Sequence, residues 1–275
     1  MEKLVGQFYI ENSEILPISD FPVTDEENII IYEVIRLNNK VPLFFEEHYN
    51  RLINSVYLAN FDISNLASKD IVNSALLQLI DKNNIDIGNI KLGLMFTKNA
   101  EFISLKMYFI PHHYPSLEDY ENGVKLITHS AIRKQPNIKI RNRNLRNKAN
   151  ELIKRNNVFE ILLINENNLI TEGSRSNIFF VKGENIYTAK NTDILKGITW
   201  QYVIKICNEI GVEVIQQDIK LSDLNQFETC FITGTSPKIM PVSEINDIKF
   251  YVKNYLTSEI MNRYEQIIAK ACLVK

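Results

Sequence analysis

The spacing of apolar and polar positions changes several times along the chain, and each change marks an element. "FYIENSEILPI" alternates, while "NIIIYEVIRLNN" and "VPLFF" are apolar runs bounded by turn residues. All three read as strands of a mostly antiparallel sheet, the last two joined in a hairpin at Asn38-Asn39. From residue 46 to residue 60 the spacing turns helical: Tyr49, Leu52, Ile53 and Val56 share one face, with His48 and Arg51 together on a more polar one. A second helix fits residues 69 to 82, and strands follow around residues 91 to 97 and 102 to 110. "PHHYPSLEDYENG", residues 111 to 123, holds two prolines, acids and a glycine, and reads as a linker. The chain therefore divides into a first domain at residues 1 to 113, a linker at 114 to 123 and a second domain at 124 to 275.

The second domain opens with a strand at residues 124 to 132, then a basic stretch and a helix near 144 to 156. Two hairpin-like pairs follow, "VFEILLINENNLITEG" and "SNIFFVKGENIYTA". "LKGITWQYVIKICNEIG" reads as a tight turn feeding a helix, and "ETCFITGTSPKIMPV" as a strand breaking into a loop of small residues. Residues 251 to 273 have the spacing of a long amphipathic helix.

Composition narrows the class. With 275 residues, 45 % hydrophobic content and a net charge of −2, nothing calls for a polyanionic or membrane partner. The first residues contain acids and no long apolar run, so no signal peptide is read, and no stretch approaches the roughly 18 apolar residues of a membrane span. The cytosol is the expected compartment. Cys207, Cys230 and Cys272 are widely spaced in apolar contexts and suit reduced core thiols, not a disulfide framework or a zinc site. Residues 133 to 155 carry nine Lys or Arg against one acid, Glu151, yet no aromatic residue on which a base could stack, which argues against nucleic-acid binding.

Three places could hold an anion. Gly197-Ile198-Thr199 stands just ahead of a helix, where backbone N–H groups point outward, the macrodipole favours negative charge and a hydroxyl adds a donor. The loop "TGTSP", residues 233 to 237, offers hydroxyls and amides at the end of a strand, and Arg51 could supply a charged fork. Each also has a plain structural reading: a turn with a cap, a loop, a solvated helical arginine.

These three features belong to one pattern. "TEGSRSNIFFVKGENIYTAKNTDILKGIT", residues 171 to 199, resembles the signature of the class IV aminotransferases, the fold-type IV pyridoxal-phosphate (PLP) enzymes that include branched-chain and D-amino-acid aminotransferases and aminodeoxychorismate lyase. Glu172, Ser174, Asn177, Ile178, Phe179, Ile186, Thr188, Leu195, Gly197 and Ile198 fall at the family's spacings, and Trp200 departs from it by standing where a basic residue is usual. "YEVIR" at residues 32 to 36, "FEEHYNRL" at 45 to 52 and "FITGTSPKIMPV" resemble the family's early strand, its helix with the phosphate arginine and its late strand with the phosphate loop. The usual Gly-aromatic turn before the early strand is not recognisable in "TDEENIII". The resemblance implies an α+β fold of two domains, a small N-terminal α/β sandwich and a larger C-terminal pseudo-barrel, and a homodimer with its active sites near the subunit boundary and between the domains.

It also implies the site. Glu172 would meet the pyridine nitrogen, and Arg51, Ile198, Thr199 and Thr235 the phosphate. A PLP enzyme needs a lysine that forms a Schiff base with the cofactor aldehyde and then shuttles a proton. Lys139 lies 33 positions before Glu172 with Asn142 three residues on, as in relatives with an "I-K-x-x-N" motif. A second frame puts Arg141 there instead, which would leave a catalytically dead relative. For the substrate, Tyr32 matches a tyrosine that points into the site. No arginine stands in "IKLGLMFTKNAEF" to hold the carboxylate, so Lys98 is the first candidate and Lys91 the second, with Thr235 and Ser236 as the other option. The activity implied is transfer of an amino group between a small amino acid and a 2-oxo acid. Aminodeoxychorismate lyase, which "IKIRNR" resembles, and a cofactor-free binding or structural homologue are the alternatives.

Overall fold

In a computed structural model, residues 3 to 22 and 28 to 273 are described, and they fall into two compact units. The first comprises Met1–His113, Ile138–Arg141 and Ile268–Lys275; the second comprises Tyr114–Asn137 and Asn142–Ile267. The segment ahead of the "YEV" strand, where the usual Gly-aromatic turn is not recognisable, begins in residues 23 to 27, outside the described residues.

The first unit runs β1 (Val5–Glu11), β2 (Glu14–Pro17), β3 (Ile29–Asn38), β4 (Val41–Pro42), α1 (Phe45–Leu58), α2 (Lys69–Asn83), β5 (Gly88–Phe96) and β6 (Phe102–Ile110). Its strands form one antiparallel sheet in the order β2-β1-β6-β5-β3-β4. Alternation sends Ile31, Ile35 and Leu37 of β3 to a core shared with Leu52 and Val56 of α1 and Leu76 and Leu79 of α2. Glu33 has the same phase and is buried there too. The β3–β4 turn falls at Asn39 and Lys40, both at positive φ (51° and 63°), one residue later than the asparagine pair suggests.

A short segment from far along the chain adds to this sheet. Ile140 bridges Ile31, the Tyr32 N–H donates to the Lys139 carbonyl (3.0 Å), and the Arg141 N–H donates to the Ile30 carbonyl (2.8 Å). Ile138 and Ile140 pack against the core, so Lys139, between them, takes the opposite phase.

The second unit contains α3 (Leu117–Asn122), β7 (Val124–Ser130), α4 (Arg143–Asn156), β8 (Glu160–Ile164), β9 (Leu169–Gly173), β10 (Asn177–Lys182), β11 (Asn185–Thr188), α5 (Ile198–Glu209), β12 (Val214–Gln216), β13 (Ile219–Lys220), β14 (Thr229–Gly234), β15 (Lys238–Ile245) and β16 (Ile248–Lys249), with most of α6 (Tyr255–Leu273). A mixed sheet runs β12-β11-β10-β14-β15-β7-β8-β9-β13, and β16 pairs with β15. The fold class is α+β, as the resemblance implies. Two elements differ from the sequence reading. Residues within the expected linker form α3, closed by a capping box in which Ser116 and Asp119 satisfy each other's backbone amides. The loop after β14 is only a turn, and the chain returns as β15 despite Pro241 within it.

Cys207, Cys230 and Cys272 are free thiols; burial pushes the Cys207 thiol up to about 12 and that of Cys230 well above its ordinary value. No described helix is long and apolar enough to cross a membrane.

Candidate active site

Each unit gathers a set of chemically distinctive side chains. In the first, the face of the sheet opposite the helices carries Tyr32 on β3, Lys91 on β5 and Tyr108 on β6. The Lys91 ammonium, on a residue only 4 % exposed, stands 4.9 Å from the centre of the Tyr32 ring and 5.8 Å from that of Tyr108. The Lys139 ammonium stands 5.2 Å from the same Tyr32 ring. Its backbone is fixed: besides the carbonyl bond from Tyr32, the Lys139 N–H donates to Ser55 Oγ on α1 (3.3 Å). Lys98, the first choice for a carboxylate ligand, lies on the exposed turn between β5 and β6. Gly93 pairs with Tyr32, and β5 runs three residues further, roughly 10 Å, before the turn that holds Lys98. Of the two lysine candidates for the carboxylate, Lys91 is the one beside Tyr32. Arg141, in the alternative frame, follows Lys139 in the same phase, and its guanidinium donates to the Asn28 carbonyl (3.4 Å).

Behind β3, Arg51 of α1 reaches Glu33 through two nitrogens: Nε donates to Oε1 (2.7 Å) and Nη2 to Oε2 (2.5 Å). His48 Nδ1 is 2.8 Å from Oε2. His48 is therefore buried against Glu33, not on a polar helix face. Burial works to raise the Glu33 carboxyl, but the charge and hydrogen bonds of Arg51, with those of His48, outweigh it and bring the pKa down to about 2. Burial holds His48 below its usual value, against the pull of Glu33.

These shifts set an acid profile. Both groups bind protons more readily in the unfolded chain, so both contribute stability at neutral pH that is lost on acidification. The His48 share begins to fall below its ordinary 6.5, and the Glu33 share is lost as the pH drops from 4.5 towards about 2. At 1.36 kcal/mol per pKa unit the Glu33 share is on the order of 3 kcal/mol. Urea unfolding at stepped pH reads this directly, and a flat profile across the lower window would contradict it.

In the second unit, Glu172 lies on β9 and is 2 % exposed. Its Oε2 accepts the Leu195 N–H (3.0 Å), and its Oε1 faces Arg133 Nε at 3.1 Å. Arg133 was not singled out from the sequence, where it is one basic residue among nine. Leu195 also ties down Asn177, whose Nδ2 donates to its carbonyl (2.8 Å). Three residues beyond Leu195, α5 starts at Ile198 behind an N-cap, Gly197, that makes no side-chain cap bond. Ile198 and Thr199 are both buried, so this helix start has its outward N–H groups in a sheltered place, an arrangement suited to an anion. The Thr199 hydroxyl lies 3.2 Å from that of Tyr264 on α6. Thr235 and Ser236 sit half-buried in the β14–β15 turn, where Tyr120 donates to the Pro237 carbonyl (2.9 Å). Trp200 is a core residue stacked on Phe179, with centroids 6.3 Å apart.

Gly197 is required by space. A Cβ there would lie 2.4 Å from Asn177 Oδ1. Gly197→Ala is expected to displace Asn177 and cost about 1–3 kcal/mol, the range for overpacking a filled site. The urea midpoint should fall at unchanged slope; an unchanged midpoint would show that the loop has room to give.

Comparison with known proteins places these residues in context. Residues 30–245 match the family described as amino-transferase class IV. A D-alanine aminotransferase from Listeria innocua is 27 % identical over 265 residues, 88 % of each chain. A putative branched-chain-amino-acid aminotransferase from Methanocaldococcus jannaschii is 29 % identical over 257 residues, 87 % of each. Among solved structures, the Escherichia coli branched-chain amino acid aminotransferase superposes with a TM-score of 0.83 at 22 % identity, covering 96 % of this chain and 95 % of that one.

Proposed function

The chain belongs to the class IV aminotransferase family, and from that premise we propose that it is a PLP-dependent aminotransferase, moving an amino group between a small amino acid and a 2-oxo acid, with Lys139 as its catalytic lysine. The observation that carries the cofactor reading is in the second unit. The amide that holds Glu172 belongs to Leu195, three residues before the sheltered, uncapped start of α5. A carboxylate for a ring nitrogen and amides for a phosphate are thus fixed relative to each other by one short piece of chain, which fits a cofactor with those two ends.

When bound, the cofactor supplies an electron sink for the substrate carbon that gives up a proton. Glu172 holds a proton on the pyridine nitrogen, because an adjacent carboxylate favours the cation. The amides of Ile198 and Thr199, the Thr235 hydroxyl and the Arg51 guanidinium hold the phosphate. Lys139, as a neutral amine, would take the proton from the substrate carbon and act as the general base and acid of the transfer. Its fixed backbone and the nearby Tyr32 ring limit where that amine can reach. For the substrate carboxylate we turn to Lys91, buried over Tyr32, with Ser236 as a neutral donor, because Lys98 stands out on its turn.

Borohydride reduction of the cofactor-loaded protein followed by peptide mapping tests this. The phosphopyridoxyl mass is expected on the peptide containing Lys139. Label on another lysine overturns the site, and uptake of no cofactor at all overturns the activity. The lyase reading, favoured by "IKIRNR", is separated by supplying aminodeoxychorismate without a 2-oxo acid: pyruvate release would support it. Of the departures behind the cofactor-free alternative (Trp200, the entry to the early strand and the missing arginine), Trp200 is accounted for by core packing against Phe179. A cytosolic homodimer is part of the proposal, and a monomer by light scattering at micromolar concentration would remove that part.

A further inference from the structure

Glu33 is out of place by ordinary core chemistry. It occupies the inward phase of β3 among Ile31, Ile35 and Leu37 and is fully buried. A buried ion pair is poor support for a fold, because the desolvation of both charges offsets most of their attraction, and apolar residues of similar size often serve as well. A purpose beyond packing is called for, and the geometry shows what Glu33 does to its partner. Both carboxylate oxygens take N–H groups from one edge of the Arg51 guanidinium, at 2.7 and 2.5 Å. The guanidinium is a planar fork, so committing one edge fixes the direction of its other N–H bonds.

The carboxylate is itself braced. An ionised carboxylate only accepts, so the 2.8 Å contact from His48 has Nδ1–H as donor, and burial keeps that imidazole neutral. His48 and Arg51 stand one turn apart on α1, while Glu33 sits on β3, so helix and strand are locked together at the arginine. The charges of Glu33 and Arg51 cancel within the cluster. Any anion Arg51 meets is held by directed N–H groups more than by net positive charge.

We propose that Glu33, braced by His48, is a positioning residue that aims Arg51 at the cofactor phosphate. The inference rests on the reading above, in which Arg51 is a phosphate ligand, and its test separates the two. Apoprotein affinities for PLP and for pyridoxal, which lacks the phosphate, are measured for wild type, Arg51→Gln, Glu33→Gln and Glu33→Asp. Their ratio isolates the phosphate contribution. Glu33→Asp keeps the buried charge but is one methylene too short to meet both nitrogens, so it stands in should Glu33→Gln not fold. Arg51→Gln is expected to lower the ratio by about tenfold or more, the scale of one charge-assisted hydrogen bond. The Glu33 variants are expected to lower it comparably while pyridoxal affinity stays within about threefold, and the phosphorus NMR line of the bound cofactor should shift. A ratio held within about twofold in Glu33→Asp, with Arg51→Gln still lowering it, overturns the positioning role alone. A ratio unmoved by Arg51→Gln overturns the phosphate reading and this inference with it.

Discussion

Replacing Lys139 by alanine lowers kcat/KM for transamination by about a thousandfold or more and leaves the protein folded. The rate loss combines the missing proton carrier, worth some 10²–10⁴, with the missing nucleophile that receives the cofactor. The fold survives because this residue is tied into the sheet by its backbone, while the ammonium contact with the Tyr32 ring is a surface-strength interaction whose loss costs little. Its N–H goes to Ser55 and its carbonyl to Tyr32, and the core contacts belong to Ile138 and Ile140, none of which the substitution touches. Circular dichroism and urea unfolding should be close to wild type, within about 1 kcal/mol. Small primary amines added to the variant should return part of the rate by replacing the lost base. A variant with wild-type turnover would remove Lys139 from the chemistry.

Glu172→Gln is expected to lower kcat and kcat/KM together by about a hundredfold. The change keeps the shape of the side chain and its capacity to accept the Leu195 N–H, but removes the negative charge. A hydrogen bond to a charged group contributes about 1.5–3 kcal/mol, and the upper end of that range corresponds to roughly two powers of ten in rate. Because the carboxylate matters most as the substrate carbon becomes electron-rich, the loss belongs in kcat, not in KM alone. Arg133, facing Glu172 at 3.1 Å, would lose its counter-charge, so a lower urea midpoint should accompany the slower rate. Full activity in this variant would exclude Glu172 as the residue governing the ring nitrogen.

Much of this was legible in the sequence because local spacing and local structure agree. The hairpins β8–β9 and β10–β11 and the helices α1, α2, α4 and α5 follow directly from apolar periodicity and the turn residues between them. The misses have particular causes. Pro241 within "KIMPVSEI" argues against a strand, yet β15 is one, and its register carries Pro241 opposite Phe231. The capping box of α3 was visible as "SLED", but the surrounding prolines and acids dominated the reading as a linker. In the candidate site, the type and spacing of Lys139, Arg51 and Glu172 could be matched to a family, whereas their partners could not. The contacts of Arg133 with Glu172 and of Glu33 with Arg51 join residues far apart in the chain. One signal for Glu33 was available: strict alternation along "IIIYEVIRLN" puts a carboxylate in the core phase, and such a group has to be paired.

Trp200 has a practical consequence. It is the chain's single tryptophan, buried in the first turn of α5 directly after Thr199. Indole emission from this molecule therefore originates at one known place, beside the amides assigned to the phosphate. A chromophore arriving there should dim that glow by energy transfer, while events elsewhere should leave it nearly unchanged. Titrations of the unlabelled protein can thus follow occupancy in real time, with no dye attached and no residue replaced.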